Sequence, residues 1–89
     1  MSNNLKDHVY YNIIIRDMEK YAEKEFFKGA RLLSINIDIE LFDSNLNENL
    51  LDVRTSIEKK SKDTLFLKTI LMEDQNILTQ ATAIWSKEI

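Results

Sequence analysis

The feature that most constrains this chain is a single change of hydrophobic period just after Phe27. Before it, apolar side chains recur at Tyr11, Ile14, Ile15, Met18, Tyr21, Ala22 and Phe26. That is the spacing of one helix face, with Arg16, Asp17, Lys20, Glu23 and Lys24 mostly on the other. After it, every second residue is aliphatic. Leu33, Ile35, Ile37, Ile39 and Leu41 alternate with Ser34, Asn36, Asp38 and Glu40, as in a strand with one wet face. Leu51, Val53, Thr55 and Ile57 repeat the alternation. Thr64 to Met72 is apolar on both faces apart from Lys68 and Thr69, the character of a central or interface strand. Ile77 to Trp85 repeats it, with small residues at Ala81 and Ala83. A chain that makes one helix and then only strands closes a core most economically by laying the helix across one sheet face. The expected class is α+β, with one long central helix wrapped by an antiparallel sheet of about four long strands.

The boundaries are punctuated. Asp7 stands just before the helical pattern as a candidate N-cap, and Gly29 just after it as a candidate C′ residue. From Val9 to Phe27, about nineteen residues at 1.5 Å each give a rod of roughly 28 Å. Strands of about ten residues span about 30 Å, which matches it. With one glycine and no proline, the turns fall to Asp43-Ser44-Asn45, Lys60-Ser61-Lys62-Asp63 and Glu73-Asp74-Gln75-Asn76. A short turn at Asp74-Gln75-Asn76 makes the last two strands a hairpin.

Composition removes several function classes. The 89 residues form one domain, 1–89, near the size at which association adds useful stability. A net charge of −3, with no basic run longer than Lys59-Lys60-Ser61-Lys62, speaks against nucleic acid as a partner. The absence of cysteine excludes disulfides, thiolate metal sites and a cysteine nucleophile. Apolar runs are too short to span a membrane, and nothing reads as a signal peptide, so the expected compartment is the cytoplasm. No phosphate-binding glycine loop, metal cluster or Ser-His-Asp constellation is present, which sets aside kinase, nucleotide-dependent and metalloenzyme readings.

Val9, Tyr10, Tyr11, Arg16 and Glu19 carry a sharper clue. Their register resembles the motif of the hotdog-fold acyl-CoA thioesterases, in particular the 4-hydroxybenzoyl-CoA thioesterase type. That motif runs Asp-x-x-Gly-x-Val, then an aromatic or Asn pair opening the central helix, then Arg-x-x-acidic along it. Ala22 and Phe26 continue the match. Ser34 to Phe42 is similar to that family's first strand after the helix, Leu50 to Lys59 to the strand written L-x-V-x-T-x-I, and Gln80-Ala81-Thr82-Ala83 to its closing strand. The chain departs from the pattern at Asn4, where the family has its catalytic Asp, and at Asp7, where it has Gly. The strand that normally precedes the helix has no counterpart, so the chain reads as a hotdog shortened at its N-terminus.

The resemblance implies hydrolysis of an acyl-CoA or acyl-carrier-protein thioester. A carboxylate attacks the carbonyl or activates water, while a backbone N–H at the positive end of the central helix holds the oxyanion. By motif position that donor is the N–H of Tyr11. No cofactor is implied; coenzyme A or phosphopantetheine belongs to the substrate. A homodimer with a continuous sheet is implied, often paired again into a tetramer.

Each residue also has a plainer reading. Asn4 can orient a water or a carbonyl but is neither nucleophile nor base. Asp7, the nearest carboxylate, has as its plainer role that of helix N-cap, for which Asp is strongly preferred. Glu19 is either a solvated or Arg-paired helix carboxylate or a base facing a partner subunit. His8, the only histidine, assists proton transfer or merely flanks the helix start. Tyr10 and Tyr11 line an acyl or aryl pocket or belong to the core. Lys59, Lys60 and Lys62, with Arg31, meet the phosphates of coenzyme A or the carrier arm, or are simply solvated. Two alternatives to a hydrolase stand beside it: a non-catalytic hotdog module for acyl-ligand binding or protein assembly, and an unrelated α+β interaction domain.

Overall fold

A computed structural model describes residues 9–27, 29–40 and 47–88. Helix α1 spans Val9–Glu25, and four strands follow: β1 (Ala30–Ile39), β2 (Leu51–Lys60), β3 (Thr64–Glu73) and β4 (Asn76–Lys87). A short 3₁₀ turn, Glu48–Leu50, leads into β2. The sheet is antiparallel throughout, in the order β1-β4-β3-β2, so β3 and β4 are central as their two-sided apolar character requires. The protein is thus α+β, one helix on a four-stranded antiparallel sheet. No described helix is long and apolar enough to cross a membrane.

The helix buries Tyr10, Ile14, Met18, Ala22 and then Phe26 just beyond its end, a line of i, i+4 steps. At about 100° per residue each such step advances about 40° around the axis, so the buried line turns by roughly 160° from Tyr10 to Phe26. A flat sheet cannot follow that line. This one touches the helix with all four strands. Three register irregularities lie in its ladders, between Leu32 and Ser34, between Ile57 and Lys59, and between Leu71 and Met72. Bulges raise the local right-handed twist of a sheet.

The same spiral corrects the expected helix face. Tyr10 is fully buried, whereas Tyr11 is half-buried and Tyr21 is exposed. The apolar stripe drifts across the surface, and its two ends do not lie under one straight line. The helix also ends at Glu25 rather than Phe27. Phe26 N–H still bonds the Ala22 carbonyl at 2.9 Å, but the chain then turns, with Gly29 N–H bonding the Phe26 carbonyl at 2.9 Å. Gly29 holds φ +106°, so it closes this turn instead of sitting directly after the helix.

The β3–β4 hairpin loop is two residues, Asp74-Gln75, because Asn76 already pairs with Glu73. Both loop residues have positive φ, 47° and 75°, the signature of a type I′ turn. In β1 the irregularity at Leu33 leaves that residue exposed and gives its inward place to Leu32.

Two apolar clusters fill the space between helix and sheet. The larger joins Ile14, Met18 and Phe26 to Leu65, Leu67 and Trp85. The smaller, at the helix's first-turn end, joins Tyr10 to Leu71 and Leu78. Among the described residues, Thr69 and Thr79 are the buried polar ones. Thr79 donates its hydroxyl to the Asp38 carbonyl at 2.7 Å, tying β4 to edge strand β1.

Candidate functional site

The first turn of α1 lies at one end of the molecule, above the cluster formed by Tyr10, Leu71 and Leu78. Backbone N–H groups in a helix's first turn have no acceptor four residues back within the helix, and the helix dipole makes that end positive. Tyr11 belongs to this turn and is half-buried, while Tyr10 beside it points into the core. Asn4, Asp7 and His8 lie outside the described residues. Glu19 is exposed on the far side of α1. Eight residues separate it from Tyr11, about 12 Å along the axis. No group of three His, Asp or Glu side chains able to hold a metal ion occurs among the described residues.

The lysines gather elsewhere, and strand geometry divides them. Lys59 and Lys60 are consecutive in β2 and so point to opposite faces of the sheet. Lys59 borders a shallow groove of about 200 Å³ with Phe66 and Ile84 on the outer face. Lys60 turns to the helix side, where its ammonium meets Glu25 Oε2 at 3.0 Å. With Lys62 and Lys87 it lines a cleft of about 380 Å³ against Phe26 and Phe27. Phe27 is 98% exposed there. The volume lies within the range of small-molecule sites. Glu25 is fourteen residues from Tyr11, which sets this cleft about 21 Å from the first helical turn. Arg31 is exposed on the outer face of β1. A single chain therefore does not bring Lys59, Lys60, Lys62 and Arg31 together with Tyr11.

Sequence reasoning missed a polar chain beneath the helix. Thr55 donates its hydroxyl to Asp17 Oδ2 at 2.6 Å. A hydroxyl has one hydrogen, so the 2.7 Å bond between Thr55 and Thr69 must run from Thr69 to Thr55. The result is a directed relay, Thr69 to Thr55 to the Asp17 carboxylate, linking β3, β2 and α1. Thr55 stood on the inward side of its alternating strand, which was the available signal. Asp17 gave none, because it lies on the margin between the buried and solvated sides of the helix. None of the three side chains lines the clefts just described. The relay ties the middle of the helix to the sheet.

The indole nitrogen of Trp85 is buried without a hydrogen-bond partner among the described residues. Compared with known proteins, the chain matches no family model, no curated protein and no solved structure.

Proposed function

We propose that this chain is a hotdog-like protein that takes an acyl-CoA or acyl-carrier-protein thioester, with the carbonyl at the first turn of α1 near the Tyr11 N–H, and hydrolyses it. The observation that carries the reading is the single helix laid against all four strands, with its first turn above the buried cluster of Tyr10, Leu71 and Leu78. This is the layout implied by the register of Val9, Tyr10, Tyr11, Arg16 and Glu19. A first-turn N–H is a suitable donor to a developing oxyanion. Asp7 is the carboxylate assigned to activate water, with Asn4 orienting it, while Glu19 lies away from the first turn.

The test is release of free thiol from a panel of acyl-CoAs and acyl-phosphopantetheines. The wild type turns over at least one of them, and Asp7→Asn lowers kcat by about 100-fold or more, the usual contribution of a general base. Glu19→Gln acts as the control for a carboxylate on the exposed side of the helix. Absence of both turnover and calorimetric binding across the panel ends the thioester reading.

A second reading is favoured by two observations. Glu19 is exposed and Asn4 occupies the position of the family's catalytic Asp. The protein is then a non-catalytic hotdog-like module that binds an acyl ligand or serves in assembly. Binding without turnover selects it.

A further inference from the structure

The cleft at the Glu25 end of α1 holds more positive charge than its own carboxylate neutralises. The ammonium-bearing side chains of Lys60, Lys62 and Lys87 line it, against the single carboxylate of Glu25. Glu25 is paired with Lys60 at 3.0 Å. Among the described residues, no carboxylate lies within ion-pair distance of Lys62 or Lys87. Asp63 and Glu88 are their sequence neighbours but do not line the cleft. Three cations less one anion leave two positive charges beside a cavity of about 380 Å³. The helix dipole is negative at this end, but it acts only within the last turn, and Lys24 of that turn offsets it.

The backbone anchors these groups to one another. Lys87 N–H donates to the Asp63 carbonyl at 2.8 Å, which fastens the end of β4 to the turn that carries Lys62. Ser61 N–H donates to the Thr64 carbonyl at 2.9 Å and closes that turn. Glu88 N–H donates to the Gly29 carbonyl at 3.1 Å, so the turn that carries Phe27 is fixed to the same strand end. Phe27 lines the cleft and is 98% exposed, whereas its neighbour Phe26 is buried in the core. A large ring left in water on a pinned turn, beside two unpaired cations, suits a ligand with a flat apolar part and an anionic part.

The number of unpaired charges selects the anion. A carboxylate satisfies one of the two ammonium groups. A phosphate monoester, which carries close to two negative charges at neutral pH, satisfies both. We infer that the cleft between Phe27 and the pair Lys62 and Lys87 is a binding site for a small phosphate monoester bearing a flat ring. Lys59, which borders the groove on the opposite sheet face, takes no part in it. The cleft lies about 21 Å from the first turn of α1, and the inference is independent of the thioester reading.

Titration of the full chain with phenyl phosphate, inorganic phosphate and benzoate tests it, read by calorimetry and by amide chemical shifts so that a binding event without heat is still seen. Phenyl phosphate binds with a Kd of about 1 mM or below, and the other two bind at least about fivefold more weakly, since each lacks either the ring or the second charge. Lys62→Ala and Lys87→Ala each weaken phenyl phosphate about three- to tenfold. Phe27→Ala brings phenyl phosphate to the level of inorganic phosphate and leaves inorganic phosphate within about twofold of its wild-type affinity. Lys59→Ala removes the same charge from the other sheet face and changes every affinity by less than about twofold. All four side chains are exposed, so these variants keep the fold. No binding of phenyl phosphate up to about 10 mM overturns the inference. Binding that the combined Lys62→Ala and Lys87→Ala variant leaves unchanged also overturns it, as does phenyl phosphate binding no tighter than inorganic phosphate.

Discussion

Replacing Thr55 by valine keeps the shape of the side chain and breaks the relay at its middle. Both the 2.6 Å bond to Asp17 and the 2.7 Å bond from Thr69 are lost. Thr69 is fully buried, so its hydroxyl is left without its acceptor, a penalty of about 1–3 kcal/mol. Asp17 is only half-buried, and water takes up part of its loss. A total of about 2–3 kcal/mol follows. Thr69→Val acts differently. It leaves the Thr55–Asp17 bond in place and removes one net hydrogen bond of about 1 kcal/mol, offset in part by the added apolar burial. Its expected cost is about 0–1 kcal/mol. In the double variant the orphaned hydroxyl is gone, so Thr55→Val with Thr69→Val is more stable than Thr55→Val alone by about 1 kcal/mol. Urea denaturation reads these values directly. In thermal melts each kcal/mol corresponds to about 4–8 °C for a chain of this size. Equal costs for the two single variants, or strictly additive costs in the double, would refute the directed relay.

Other perturbations test the fold. Asp74 and Gln75 hold positive φ without glycine, so changing the pair to Asn-Gly stabilises the protein by about 1 kcal/mol in the same denaturation assay. Gly29→Ala destabilises by about 1–2 kcal/mol through its φ of +106°. An added Cβ would meet Glu88 Oε2 at 2.9 Å, the end of a flexible side chain, so removing that side chain with Glu88→Ala does not restore stability. Met18→Ala, fully buried between helix and sheet, costs about 2–5 kcal/mol, whereas Lys60→Ala, which removes a partly exposed ion pair with Glu25, costs less than about 1 kcal/mol.

The period switch at Phe27 made the architecture legible because each half of the chain buries only one kind of surface. Alternation in β2 identified Leu51, Val53, Thr55 and Ile57 as inward, and the structure places all four on the helix side of their ladder. What alternation does not encode is its interruption. Leu33 has the right residue type for an inward position, yet the irregularity beside it moves Leu32 there. Tyr10 and Tyr11 are indistinguishable by type, and the choice between them depends on the curl of a sheet built from residues far along the chain. The lysines show the same limit. Lys59 and Lys60 are neighbours in sequence and a sheet's thickness apart in space, while Lys87 joins Lys60 and Lys62 only through the β3–β4 register.

These positions bear on the proposed site. The first turn of α1 and the cleft of Lys60, Lys62 and Lys87 lie at opposite ends of the helix, about 21 Å apart. Within one chain the lysine cleft therefore cannot complete the first-turn site. Lys60→Ala with Lys62→Ala accordingly leaves KM for an acyl-CoA within about threefold of wild type, since screened charges about 20 Å away contribute little at physiological salt. An edge-to-edge dimer with antiparallel edge strands would behave otherwise, because it brings the basic end of one copy toward the first helical turn of its neighbour. A tenfold or larger rise in KM, with kcat unchanged, would show the lysines binding substrate across such an edge.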